Sequence, residues 1–159
     1  MATTRNRISF DVELVRRYDL RSPRYTSYPT ADHFKEDFTE KDYRQAAATS
    51  NEIPIPKTLS LYFHIPFCHS LCFFCACNKV VTRHTGAADE YLDHLCQEVR
   101  LQGGLYDDDR EVVQMHLGGG TPTFLTTNQI ERLLQQVDQY FLRSTSPDRE
   151  LSIEIDPRT

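Results

Sequence analysis

The chain has 159 residues, enough for one ordinary hydrophobic core. Its 23 acidic and 18 basic residues give a formal net charge of −5, which argues against a nucleic-acid binder, whose binding face normally carries a basic excess. No apolar run approaches a membrane span, the leading MATTRNRISFDVEL lacks a signal-peptide core, and clustered thiols suit a reducing compartment, so a cytoplasmic protein is expected.

Ser9 can cap a first helix, with Asp11 and Glu13 in its opening turn, where carboxylates suit the helix dipole. Phe10, Leu14 and Tyr18 then repeat as one apolar stripe. Arg16, Arg17, Arg21 and Arg24 make this leading part locally basic, compatible with a solvated arm or with contact to an anionic ligand. Residues 21–38 carry Pro23, Pro29 and many aromatics with little periodicity, so a packed loop is expected. Thr39 followed by Asp42 has the form of a capping box opening a short helix to about Ser50. NEIPIPK, with Pro54 and Pro56, reads as a linker, because residues before proline are pushed toward extended conformations. Residues 1–57 are thus expected to be an arm and linker, and 58–159 the start of the main domain.

From there the pattern is strand, loop and helix, repeated. Residues 58–64 alternate, Leu59, Leu61 and Phe63 on one face and Ser60, Tyr62 and His64 on the other. A helix over 87–102 carries Tyr91, Leu95 and Val99 on a stripe and ends at Gly103-Gly104. Residues 111–117 form a second strand, running into Gly118-Gly119-Gly120-Thr121-Pro122-Thr123. Thr127 caps a further helix with Ile130, Leu133, Leu134, Val137 and Phe141 toward the core, and 150–156 is a third strand. Alternation of this kind gives right-handed crossovers and a parallel sheet. The apolar faces should pack on helices, and the cysteine loop, GGGTPT and Asp156 should lie at the carboxyl ends of their strands, where such folds place their chemistry. The chain stops inside the pattern, with no fourth strand to close the sheet, so a poorly soluble or oligomeric product is expected.

The stretch with most chemical content is CHSLCFFCAC at 68–77, which holds four of the five cysteines. Cys68, Cys72 and Cys75 have the spacing C-x3-C-x2-C, and a cluster held by three thiolates keeps one iron without a protein ligand. Structural zinc usually draws on two separated ligand pairs, and here the remaining Cys96 is alone in a helical pattern. Disulfides between such near neighbours close strained loops. An iron–sulfur cluster is therefore expected over zinc, a disulfide framework or inert thiols. GGGTPT lacks G-x-G-x-x-G spacing, so it is not a dinucleotide fingerprint; its glycines let a ligand lie against backbone or serve a tight turn. Glu154 is acidic within an apolar strand and needs a partner: a ribose hydroxyl, a cationic amino group or a later arginine. His64 and His116 are expected to be hydrogen-bonded structural groups, and Phe73 a core residue.

With LYFHIPFCHSLCFFCACNKVVTR at 61–83, HLGGGTPTFL at 116–125, PRYTSYPT at 23–30 and LSIEIDPR at 151–158, the chain resembles the radical S-adenosylmethionine superfamily and, within it, the oxygen-independent coproporphyrinogen III oxidase family. The fourth cysteine of CAC and the PRYTSYPT arm set it apart from haem-chaperone-like relatives. The resemblance implies an α/β fold: the first βα units of a parallel, partial TIM-like barrel behind a helical and loop arm. It covers nearly the whole chain but only about the first third of the family's length.

By the same resemblance, Cys68, Cys72 and Cys75 hold a 4Fe–4S cluster, and Cys77 stands beside it as a non-ligand. Gly119, Gly120, Thr121 and Glu154 contact S-adenosylmethionine, and Tyr62 and Phe74 wall the cofactor sites, which in the family take two such molecules. The implied reaction converts two propionates of coproporphyrinogen III to vinyls, giving protoporphyrinogen IX. It requires a one-electron reductant such as flavodoxin or ferredoxin and a terminal electron acceptor. The rival expectation is a non-catalytic iron–sulfur or haem-handling fragment of the same superfamily.

Overall fold

The structure is a computed structural model that describes residues 10–19, 30–52 and 57–157. It divides into two compact units, Met1–Phe38 and Thr39–Thr159. In the first, helix α1 spans Val12–Tyr18. Ser9 lies outside the described residues. The cap is Asp11, whose Oδ1 accepts from the amides of Glu13 and Leu14, both at 3.0 Å, so this carboxylate stands before the helix rather than in its first turn. Phe10, Leu14 and Tyr18 are exposed. Most of PRYTSYPT and half of the expected packed loop fall outside the described residues; in the described half a 3-10 turn covers Ala31–His33, and Phe34 and Phe38 are exposed rather than packed.

The second unit opens with the expected capping box. Thr39 Oγ1 accepts from Asp42 N and the Asp42 carboxylate accepts from Thr39 N, starting α2, Glu40–Asn51. This helix is tied to the body by Arg110, which donates to Ser50 Oγ, Asn51 Oδ1 and Lys57 O. Among the described residues, then, α2 shares a unit with the sheet, whereas the proline-bearing linker suggested an arm running to residue 57.

Strand β1 (Leu59–Ile65) enters the sheet with alternating exposure, Phe63 and Ile65 buried and Tyr62 exposed. After the short β2 (Phe67–Cys68) and β3 (Val80–Val81), α3 (Ala87–Gly103) buries Ala88, Leu92, Leu95, Cys96 and Val99. Strand β4 (Glu111–Gly119) runs parallel to β1, pairing Tyr62 with His116 and Ile65 with Gly119. The next helix, α4 (Thr127–Tyr140), is capped by Thr126, one residue earlier than expected, because Gln129 is the residue placed to complete the box. It turns Leu133 and Val137 fully inward. Where α3 crosses α4, a Cβ on Gly103 would lie 2.6 Å from Tyr140 Cβ, so only glycine allows that approach.

On the other side of β4 lie β5 (Leu142–Arg143), paired with Glu111–Val112, and β6 (Glu150–Ile153), paired with Gln114–Leu117, both parallel. The two-residue β5 is thus an additional strand, and the expected third strand, 150–156, is β6, which ends at Ile153. Its apolar side chains do not pack on a helix as expected: Leu151, Ile153 and Ile155 are exposed, and among the described residues no helix lies on them. The core is the layer between the sheet and α3 and α4, centred on Ile65, Leu92, Val112, Leu133 and Val137. Among the described residues, no helix is long and apolar enough to cross a membrane.

Candidate metal and cofactor site

Three sequence elements meet at the carboxyl ends of β1, β4 and β6. The first is the thiol loop. Its two ends are fastened by the β2–β3 pair, with Val80 N donating to Pro66 O (2.7 Å) and Thr82 N to Cys68 O (3.0 Å). Cys68 is buried, Cys72 and Cys75 are half-buried, and Cys77 is exposed. A turn brings Cys75 N to Cys72 O at 3.2 Å. Leu71, Phe73 and Phe74 project into solvent, and Phe73 is fully exposed, not a core residue: the loop runs past the end of the sheet, and among the described residues no apolar layer covers these side chains.

The second element is the glycine stretch. Gly119 N donates to Glu154 Oε2 (3.0 Å), Gly120 N to Ile65 O (2.8 Å) and Thr121 N to Phe67 O (2.8 Å). The Thr121 hydroxyl donates to Cys68 Sγ at 3.6 Å. Gly119 has φ +111°, and a Cβ there would strike the His64 ring at 2.7 Å. A Cβ on Gly120 would sit 2.7 Å from Phe67 O and 2.8 Å from Pro66. The space freed by this glycine is thus filled by the β1–β2 backbone, and its lack of a side chain serves the joint before it serves any ligand.

The third element is a polar row across the inner face. Tyr62 stacks on His116 (ring centroids 5.7 Å apart) and its hydroxyl lies 3.1 Å from His64 Nδ1. His64 Nε2 reaches Asn78 O (2.8 Å), and His116 Nδ1 reaches Ser152 Oγ (2.7 Å). Both histidines are hydrogen-bonded, as expected. Glu154, just past β6, has its side chain 53% exposed and lies 3.5 Å from His116 Nε2. Its partners are therefore His116 and a glycine amide. Partial burial, then the charges of Glu154 and Cys77, push the Tyr62 hydroxyl above its usual range.

Between the loop and the glycines opens a cleft of about 390 Å³, bounded by Cys72, Phe73, Phe74, Gly120, Thr121 and Asp156. Of the residues singled out from the sequence, the cleft gathers Cys72, Phe74, Gly120 and Thr121. Tyr62, Gly119 and Glu154 form the adjoining row, and Cys68 sits behind Thr121. A cavity of about 370 Å³ lies between β1 and α3, lined among others by Tyr62 and His64 of the row; within it Tyr43 OH donates to Gln102 Oε1 (2.6 Å) beside Tyr106, and Tyr91 OH donates to His64 O. Sequence reasoning missed the β2–β3 fastening, whose only trace is the Val80-Val81 pair, and Ser152 as the partner of His116.

Among the described residues, no three His, Cys, Asp or Glu side chains converge as metal ligands do. The donor set nonetheless suits an iron–sulfur cluster. None of the five cysteines is in a disulfide, three thiols lie within eight residues, and thiolate is the ligand such clusters take. One thiol is fixed at the joint and two sit on the half-exposed loop.

No family model matches the chain. It is 52% identical over 151 residues to the oxygen-independent coproporphyrinogen III oxidase of Salmonella typhimurium, covering 95% of this chain and 32% of that protein. To the relative of the same name from Mannheimia haemolytica it is 48% identical over 150 residues, covering 94% of this chain and 98% of that one. The chain belongs to the oxygen-independent coproporphyrinogen III oxidase family. A solved structure, coproporphyrinogen III oxidase (HemN) from Escherichia coli, described as a radical SAM enzyme, matches with a TM-score of 0.76 and 48% identity over 94% of this chain and 31% of its own. The parallel α/β fold is thus the opening part of that radical SAM fold, without a closed barrel. The chain spans about a third of the length of the curated relatives it first matches.

Proposed function

We propose that this chain carries the cluster- and cofactor-binding part of an oxygen-independent coproporphyrinogen III oxidase, a cytoplasmic oxidoreductase of haem biosynthesis. What supports this most is the joint itself. The thiol loop and GGGTPT are bonded through Gly120 N to Ile65 O, Thr121 N to Phe67 O and Thr121 Oγ1 to Cys68 Sγ, so a group on the thiols and a ligand on the glycines would be neighbours.

Cys68, Cys72 and Cys75 would hold a 4Fe–4S cluster, leaving one iron for S-adenosylmethionine, and Cys77 would stand outside the ligand set. When bound, the cluster supplies one electron that breaks a carbon–sulfur bond of the sulfonium and starts hydrogen abstraction from the substrate. The protein's task is to place and shield. Because the amides of Gly119, Gly120 and Thr121 are engaged, a cofactor ammonium would meet the carbonyl side of this stretch. Glu154, oriented by Gly119 N and His116, offers an acceptor for ribose hydroxyls or the amino group. Tyr62 and Phe74 would supply aromatic walls, and the family's two cofactor molecules would lie along the row and the cleft. Coproporphyrinogen III would be the substrate: each of two propionate side chains would become a vinyl by losing CO2, a hydrogen atom taken up by the fragment of S-adenosylmethionine and one electron passed to a terminal acceptor, with a flavodoxin or ferredoxin as electron donor.

Electron paramagnetic resonance of the anaerobically reconstituted, reduced chain tests the reading. A 4Fe–4S signal that changes on adding S-adenosylmethionine is expected; stoichiometric zinc with no iron uptake would sink it.

A further inference from the structure

Thr121 is a buried polar residue in the joint, 8% exposed, and faces Cys68, also 8% exposed. Its backbone amide is fixed to Phe67 O at 2.8 Å, and the next residue, Pro122, is fully buried, so the side chain has little freedom to turn elsewhere. A threonine hydroxyl has one proton to donate. Here that proton points at Cys68 Sγ, 3.6 Å away.

We propose that Thr121 is a positioning residue for the cluster: its hydroxyl fixes the Cys68 sulfur before iron arrives and afterwards donates to the ligating thiolate, raising the cluster's reduction potential. This rests on the reading that Cys68 is a cluster ligand. The physical reason is charge. A hydrogen bond to an ionised acceptor is stronger than a neutral one, and low local dielectric strengthens it further. Reduction adds negative charge that the sulfurs share, so a donor on one of them favours the reduced state; hydrogen bonds to sulfur are among the factors that set cluster potentials. Cys72 and Cys75 sit on the half-exposed loop, whereas Cys68 and its threonine donor are buried together. The geometry also divides the labour within GGGTPT. The Thr121 hydroxyl serves the sulfur, and the neighbouring Gly120 lines the cofactor cleft.

The test is a redox titration of the reconstituted 159-residue chain, followed by electron paramagnetic resonance. Thr121→Val keeps the shape and removes the donor, while Thr121→Ser keeps the donor. At a fixed solution potential, the reduced-to-oxidised ratio is expected to fall about tenfold in Thr121→Val, a shift of about 59 mV to more negative potential for a one-electron couple. Thr121→Ser should stay within about twofold of the native ratio, which a merely structural role for the side chain would not require. If Thr121→Val holds no cluster while Thr121→Ser does, the hydroxyl is again the group that matters. A native potential in Thr121→Val, or loss of the cluster in both variants, overturns the proposal. Cys68→Ala separates the two levels. A cluster retained there removes the ligand assignment, whereas an empty Cys68→Ala beside an unchanged Thr121→Val removes only the role of the hydroxyl.

Discussion

The joint around Cys68, Gly120 and Thr121 and the loop from Leu71 to Cys77 lie next to each other in space and are built on opposite terms. In the joint, backbone amides of Val80, Thr82, Gly120 and Thr121 all have main-chain partners, and no Cβ fits on Gly120. In the loop, Leu71, Phe73, Phe74 and Cys77 are exposed, and among the described residues no core covers them. The difference shows which part of a thiol site the polypeptide fixes in advance and which it leaves to the bound group. A rigid anchor sets where a cluster sits; an adaptable loop lets the remaining sulfurs close on it, because metal-binding free energy can order a segment that the chain alone leaves loose.

The largest expected effect breaks the joint. Gly120→Val would drive a branched side chain into Phe67 O and Pro66, so the cluster-free chain should lose at least about 3 kcal/mol of stability in urea denaturation, or fail to fold. Phe73→Val, in the loop, should change stability by no more than about 0.5 kcal/mol. A native-like unfolding curve for Gly120→Val would show that the glycine only clears space for a ligand.

A smaller effect probes the polar row that adjoins both regions. Glu154→Ala removes the acceptor for Gly119 N and the group near His116, yet reaches none of the three proposed ligand thiols. Iron content should be unchanged while S-adenosylmethionine binding weakens about tenfold by titration calorimetry, in line with the loss of one hydrogen bond to a charged group. Loss of the cluster in this variant would mean that the row and the joint are one unit.

The smallest effect lies away from both regions and serves as a control. Desolvation first, then the hydrogen bond and charge of Tyr106, push the Tyr43 hydroxyl from 10.0 up to about 12. The folded state holds this proton more tightly than the unfolded one. Its stabilising contribution is therefore complete below pH 10 and disappears as pH rises from 10 toward about 12. Tyr43→Phe should flatten that part of the stability–pH curve, with the joint's properties untouched.

How much of this could be read from sequence depended on range. The Thr39–Asp42 box and the alternation of β1 are local and were legible. The cap of α4 fell on Thr126 and not Thr127 because the position of Gln129, three residues on, decides between adjacent threonines. Strand β5 has two residues, too few for any alternation to show. Phe73 was misjudged because aromatic character says nothing about whether a core lies beneath a loop. The thiols and glycines were legible as chemistry, through spacing, but their bond through Thr121 was not, since it depends on the register of β1 against β4. The register of β4 against β6 pairs His116 with Ser152 and so brings it beside Glu154, a partner that no local pattern could suggest.

Hydrogen exchange on the chain with and without its reconstituted cluster tests the division between joint and loop most directly. The account predicts that the amides of Val80, Thr82, Gly120 and Thr121 are protected in both states. Those of residues 71–77 should exchange fast without the cluster and slow by at least about tenfold with it. A loop already as protected as the joint before iron is added, or one that stays fast after a cluster has formed, would contradict it.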